Sequence, residues 1–382
     1  METPIVVTPV RSRREMNDFI GVVYRIYKDC PQYVPDLESD IREFFDVKTN
    51  PGLEFSDVQA WVAYRGKEAV GRIVGIINRH ANEKWKTRNV RFSMIEFIDD
   101  MEVSRALLDA VGQWGRERGM TEIQGPMGIT DFDKEGMLVE DFHLVGTMST
   151  IYNHAYYPRH LEALGFAKEA DWVQIRVTIP EDVQERYQRV TQYVTQRLKV
   201  RVVKLTRDDI YKRDFGHKIF DLLNQAYSPL FGYSELSPKQ TDLFIKKYLG
   251  LIDLNYVPVI LNEQDELIGV AVTMGCLSQA MRKANGHLFP FGWFHLLKSL
   301  KWKGEGSAEM LLIAVRPDYQ AMGVNALFFN DLIRVYNQAG IKWAETGPQL
   351  EDNMRELTQW KPMNPTFVKR RRCYCKALGD KE

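Results

Sequence analysis

Residues 311–326 read Leu311-Leu-Ile-Ala-Val315-Arg-Pro317-Asp-Tyr-Gln320-Ala-Met-Gly323-Val-Asn325-Ala326. The first five are all apolar, which predicts a strand. The helical pattern that follows runs from about Gly323 to Gln338, with Leu327, Phe328, Leu332 and Val335 inward and Gly340 as its stop. A strand that passes through a short loop into a helix bares several backbone N–H groups at the positive end of the helix dipole, a site suited to an anion such as pyrophosphate. Gly323 lets the backbone approach such a ligand closely, and the small Ala321 does not crowd it. An ordinary helix entry without a ligand fits the same residues.

The elements around this stretch occur twice. Val58 to Tyr64 and Ala69 to Ile77 flank the turn Arg65-Gly66-Lys67-Glu68, a predicted hairpin. Tyr256 to Leu261 and Leu267 to Met274 repeat it, with Gly71 and Gly269 at the same place. Arg91 to Ile98 then precedes a helix from about Met101 to Arg118, as Glu309 to Val315 precedes its own helix. Short strands follow, ending on Gly125-Pro126 and Gly347-Pro348. Between the repeats a polar helix from Pro180 to about Lys199 leads into Val200-Arg-Val-Val-Lys-Leu, a fresh strand. The expected organisation is therefore a first domain over 1–180, a linker helix over 181–199 and a second domain over 200–382. Each domain is expected to be α/β, a mixed, mostly antiparallel sheet flanked by helices.

The loop Val315-x-Pro317-x-Tyr319-Gln320-x-x-Gly323-x-Asn325 resembles the acyl-CoA pyrophosphate loop of the GNAT superfamily of N-acyltransferases, whose pattern is Gln/Arg-x-x-Gly-x-Gly/Ala. Asn325 stands where the family has its final small residue. With the repeat, the whole chain resembles a tandem GNAT protein, residues 200 to 378 being the better copy. The resemblance implies an acyl-CoA donor, acetyl-CoA or another, held by the backbone of Ile313, Val315, Gln320, Met322, Gly323 and Val324, with Ala321 and Asn325 in the same loop. It implies direct attack of an acceptor amine on the thioester, assisted by a base and an acid. Glu309, six residues before Val315, stands where the family often carries the base; a solvated carboxylate at the strand start is the other reading. The family's acid is a tyrosine seven residues after an asparagine. Here Asn353 leads to Trp360, which has no acidic hydroxyl and reads as a wall of the thioester site or as core. Tyr319 and Tyr374 are the nearby tyrosines. Phe231, Tyr233 and Trp293 fall in segments that would flank the acceptor side.

The first copy departs further. Its junction reads Phe97-Ile-Asp99-Asp100-Met-Glu102, and three carboxylates at a helix start repel a pyrophosphate. This copy is expected to be degenerate and not to bind CoA. An insertion after Gly125-Pro126 carries Asp131, Asp133, Glu135, Glu140, Asp141 and His143, a solvated acidic loop or a reader of a cationic acceptor. The second copy inserts 286–302, rich in aromatics and leucines, which want burial. Packing against the other half or a second subunit is one reading; a lid over an acyl chain and a membrane-surface helix edged by Lys298, Lys301 and Lys303 are the others.

Composition narrows the partners. The chain of 382 residues holds 51 Lys plus Arg and 51 Asp plus Glu, so no net charge draws it to nucleic acid. Lys369-Arg370-Arg371-Arg372 reads as an edge defence or a solvated face rather than a nucleic-acid patch. Four cysteines are too few for a disulfide framework and show no zinc spacing, so no metal and a cytoplasmic setting are expected. Cys373 and Cys375 read as buried small hydrophobes. No segment offers about 18 uninterrupted apolar residues for a membrane span. The expected acceptor is a small-molecule or peptide amine. Two other readings stay open: a binding or structural protein that kept the fold without turnover, and a transferase that takes its acyl group from aminoacyl-tRNA.

Overall fold

The computed structural model describes residues 3–250, 252–301 and 304–379. In chain order the strands are β1 (Ile5–Pro9), β2 (Ser56–Arg65), β3 (Glu68–Asn78), β4 (Asn89–Phe97), β5 (Glu122–Gly125), β6 (Met137–Leu138) and β7 (Ala167–Thr178). They continue as β8 (Arg201–Lys204), β9 (Pro258–Leu261), β10 (Leu267–Gly275), β11 (Ser307–Val315), β12 (Trp343–Thr346), β13 (Gln349–Leu350) and β14 (Thr366–Ala377). Two compact units contain them. The first comprises 1–173, 285–290 and 369–382, and the second 174–284 and 291–368. The division within β7 lies seven residues before the sequence boundary near 180, and most of the last strand belongs to the first unit.

In the first unit the sheet order is β1-β2-β3-β4-β5-β14. Only β4 and β5 are parallel, paired over Asn89–Arg91 and Glu122–Gln124. The helix Met101–Arg116 lies on one face, with Val103, Leu107, Leu108 and Val111 buried among Ile73, Val90, Phe92, Phe97 and Ile123. The helix Arg13–Ile26, capped by Ser12 and Glu15, buries Phe19, Ile20, Val22 and Val23 against Val62, Val74 and Ile76 on the other. Two apolar faces on one sheet account for the nearly continuous apolar run of β3.

The second unit repeats the plan in the order β8-β9-β10-β11-β12, with the end of β7 beyond β12. Gly71 pairs with Phe97 and Gly269 with Val315, so the repeat extends to register. Both glycines make room for the covering helix. A Cβ at Gly71 would stand 2.8 Å from Leu107 Cδ1, and one at Gly269 would stand 2.9 Å from the Phe328 ring.

Two stretches are placed differently from their sequence reading. The basic run is neither an edge nor a solvated face: Lys369 and Arg371 are buried. Arg371 bonds Thr150 Oγ1 at 2.8 Å, Arg372 is bidentate on Asp171 at 2.8 and 3.0 Å, and Arg370 bonds Glu140 at 3.1 Å. Those partners hold β14 in the first unit. The acidic insertion is solvated only in part: Glu140 and His143 are exposed, but Asp141 accepts the Lys369 N–H at 3.0 Å, and Asp133 accepts the Thr130 N–H at 2.9 Å. Burial pushes the Asp131 carboxyl up to about 7, the nearby Arg91 opposing the shift. In the insertion 286–302 the residues up to Pro290 belong to the first unit, where Gly286 O accepts the Glu38 N–H at 2.9 Å and His287 stacks on Tyr24. Trp302 and Lys303 lie outside the described residues. Cys373 is buried and Cys375 half-buried, both as free thiols.

Candidate acyl-donor site

β11 and β12 run parallel only over Ser307–Met310 and Trp343–Thr346. The Gly347 N–H makes the last link, to Met310 O at 2.8 Å. Leu311 is an extra residue facing the Val272/Thr273 step of β10, a bulge that turns the rest of β11. From there to Val315, β11 keeps β10 on one side and, among the described residues, has no strand on the other. Arg316 N–H bonds Ile268 O, so by alternation the N–H and C=O of Ile313 and Val315 point away from β10 into the opening.

Two side chains take these groups. The Ile313 N–H donates to Tyr227 Oη at 3.2 Å and the Tyr227 hydroxyl donates to Ile313 O at 3.0 Å. Gln320 Nε2 donates to Val315 O at 3.0 Å. Tyr227 closes the helix Phe215–Tyr227, and behind it Tyr233 is fully buried, edge-on to the Tyr227 ring and bonded to Asn224 at 2.7 Å. Sequence reasoning had no route to Tyr227, because no short motif contains it and only the fold brings its hydroxyl to β11.

Beyond Val315 a turn over Pro317–Tyr319 leads to Gln320, and the helix Asn325–Gln338 begins after it. Ala321 (φ 63°) and Gly323 (φ 81°) are both left-handed, which only small residues tolerate cheaply. Among the described residues, the N–H groups of Ala321, Met322, Gly323 and Val324 donate to no protein atom, and Ala321, Met322 and Gly323 are exposed. Asp318 is held by Arg316 at 2.8 and 3.0 Å, which offsets its charge beside the loop. The loop thus has the composition of an anion cradle. A Cβ on Gly323 would lie 3.3 Å from Val194 of the helix Glu185–Leu198, so this glycine serves chain geometry and helix packing, not only ligand approach.

The other named residues have distinct surroundings. Glu309 sits in the closed part of β11, 3% exposed, in register with Glu345. Its Oε1 accepts from the Cys276 thiol at 3.5 Å, and burial together with Glu309 pushes that thiol up to about 12. Glu345 is bonded by Arg176 at 2.8 Å and Gln174 at 3.0 Å. Trp360 is buried against Phe329, its indole N–H on Gln349 Oε1 at 3.2 Å. Asn325 bonds Gln359 at 2.6 Å. Asn353 caps the short helix Met354–Thr358 by accepting the Glu356 N–H. Phe231 is half-buried and Trp293 exposed. Tyr319 lies under the Arg316 guanidinium, and Tyr374 belongs to the first unit, bonded to Glu162 at 2.9 Å. Glu356 is a further titratable group that the motif reading passed over. Burial pushes its carboxyl up to about 7, and Gln349 Nε2 lies 3.4 Å from it. The Asn-x-x-Glu spacing is a legible cap, but the burial that sets its titration is not written in the motif.

The first unit has the same bulged β4 and the same short β4–β5 pairing, yet its opening is filled. The Phe97 N–H donates to Tyr157 Oη at 3.1 Å, and the Tyr156 hydroxyl donates to Phe97 O at 2.6 Å. Tyr157 stacks on Phe97 with ring centres 4.1 Å apart, and its hydroxyl reaches the buried Glu96 at 2.7 Å. Asp100 caps the helix Met101–Arg116 by accepting the Glu102 N–H at 2.8 Å. Two tyrosines and a carboxylate thus cover the edge and the helix start here, where the second unit has Tyr227 and Gln320 on the edge and loop N–H groups without protein partners. Among the described residues, no group of three or more His, Cys, Asp or Glu could hold a metal ion, and no helix is long and apolar enough to cross a membrane.

No family model matches the chain. Over 322 residues it is 29% identical to Protein YghO of Escherichia coli (strain K12), which spans 81% of this chain and 78% of that protein. Over 317 residues it is 29% identical to a bacterial ceramide synthase of Caulobacter vibrioides (strain NA1000 / CB15N), spanning 82% and 81%. Among solved structures, a tandem GNAT protein from the clavulanic acid biosynthesis pathway matches at a TM-score of 0.58 and 10% identity, over 99% of this chain and 100% of that one. The fold is that of the tandem GNAT proteins, as the loop and the repeat implied.

Proposed function

We propose that the chain is an acyl-CoA-dependent N-acyltransferase whose donor site lies in the second unit. The observation that carries this reading is the open edge of β11 running directly into a loop of four N–H groups without protein partners. The residues fit the donor. The loop from Gln320 to Val324 would hold the pyrophosphate, and Ile313 and Val315 would pair with the amides of the pantetheine arm once Tyr227 and Gln320 release them. Asn325 and Asn353 shape the two helix starts beside the opening, and Trp360 backs the first of them.

In the reaction the acceptor nitrogen attacks the thioester carbonyl, a C–N bond forms, the C–S bond breaks, and the amine proton leaves to a base while the thiolate takes one up. Two carboxyls are candidates for the base: Glu309, which stands on β11 itself, and Glu356, whose carboxyl burial pushes up to about 7. Similarity to a bacterial ceramide synthase supports a long-chain amino alcohol as acceptor and a fatty acyl-CoA as donor. Incubation with palmitoyl-CoA and a long-chain amino alcohol, read by mass spectrometry, should give the N-acyl product with release of free CoA. Acetyl transfer to polar amines with none to the lipid amine would replace the lipid acceptor. Binding of acyl-CoA with no transfer to any amine would favour the non-catalytic reading.

A further inference from the structure

We propose that the helix Gly292–Lys301, with Phe291 before it, docks onto the surface of an anionic phospholipid bilayer. Phe291 is 71% exposed, Trp293 45% and Phe294 42%. Leu296, Leu297 and Leu300 are only half-buried, and Gly292 is the one fully buried residue of the helix. Exposing this much aromatic surface on one short element is costly in water, and adjoining large apolar side chains of this kind mark an interaction surface.

Charge selects the partner. From Leu267 to Gly304 the sequence holds no Asp or Glu, but holds Arg282, Lys283, Lys298, Lys301 and Lys303, in a chain whose overall charge is zero. Arg282 and Lys283 lie on the exposed side of the helix Ser278–Ala284, which packs against Gly292–Lys301. Phe294, Lys298 and Lys301 follow one another at helical spacing and are all exposed, so aromatic rings and ammonium groups share one stripe. Exposed Trp and Phe rings suit the headgroup boundary, and the long lysine side chains beside them can snorkel outward to anionic phosphates. A second protein copy would bring the same basic stripe against itself, which like charge opposes. The inference does not depend on the acyl-CoA reading, since surface and donor loop involve different residues.

Vesicle sedimentation of the full chain, without any CoA ligand, tests it. Vesicles of phosphatidylcholine with about 30% phosphatidylglycerol should pellet the protein at low salt, and pure phosphatidylcholine should pellet far less. Lys298→Ala with Lys301→Ala should weaken partitioning about 25-fold, at about fivefold per lysine. Trp293→Ser with Phe294→Ser should abolish it. Because the lysine pair is fully on the surface, its result stands even if the aromatic variant fails to fold. Absence of pelleting, or pelleting that ignores the lysine pair, would overturn the proposal. So would a dimer in sedimentation velocity that the aromatic variant dissociates, since the face would then belong to a second copy. Loss of palmitoyl-CoA affinity in the aromatic variant with vesicle binding intact would assign the face to an acyl-chain lid instead.

Discussion

Glu356 occupies the first turn of a five-residue helix, and burial holds its carboxyl at about 7 against an ordinary 4.5. Because its folded value is raised, the stability it allows is fully present below pH 4.5 and is lost as pH rises through 7. Glu356→Gln should therefore gain on the wild type across that window, reaching about 2 to 3 kcal/mol above pH 7. Thermal melts at several pH values read this, and a difference that stays constant from pH 4.5 to 8 would contradict the burial. At this scale the sequence was readable where backbone geometry dictates residue type. Gly323 and Ala321 stood out, and both are left-handed. It was unreadable where a side chain's role comes from distant neighbours, as with the hydroxyl of Tyr227 on Ile313, 86 positions away.

At the level of elements, each covering helix approaches its sheet across a glycine. In Gly71→Ala the new methyl meets both Leu107 at 2.8 Å and the fixed Glu96 carbonyl at 2.9 Å, whereas in Gly269→Ala it meets only the Phe328 ring tip that closely. Overpacking of this kind costs about 1–3 kcal/mol, and the first variant should lie at the upper end. Urea unfolding of both checks the order, and the reverse order would show that the Phe328 ring cannot give way. The hairpins, the two long helices and the two Gly-Pro strand ends were legible, since alternation, helical spacing and turn residues all agree there. The bulges were not, because an extra residue such as Leu311 changes register without changing the apolar pattern. The filled opening of the first unit was half legible. Its acidic helix start is plain in the sequence, but the plugging rings of Tyr156 and Tyr157 come from a helix some 60 residues further on.

Over the whole molecule, the boundary near residue 180 followed from the repeat, yet a repeat of elements does not say which sheet a final strand joins. β14 pairs with β5 through Tyr374–Ala377 and carries Arg371 and Arg372 onto Thr150 and Asp171 of the first unit. A fragment of residues 1–180 loses that strand and leaves Asp171 buried without its arginine. It should be unfolded or molten by circular dichroism and proteolysis; a stable, cooperative melt would refute the dependence on β14. Charge patterning was legible as a total but not as a map. A neutral sum conceals both the buried basic run of β14 and the acid-free stretch around the exposed aromatic helix. The proposed function requires one donor site per chain, at the loop of the second unit, and none in the first, where Tyr156 and Tyr157 cover the edge. Isothermal titration calorimetry of acetyl-CoA and palmitoyl-CoA against the wild type and Met322→Glu tests it most directly. Met322 is 49% exposed with ordinary backbone geometry, so the new carboxylate repels pyrophosphate without straining the loop as a change at Gly323 would. The expected result is one site per chain for the wild type, weakened about tenfold or more in a variant that melts normally. No binding to the wild type, two sites per chain, or equal affinity in the two proteins would contradict it.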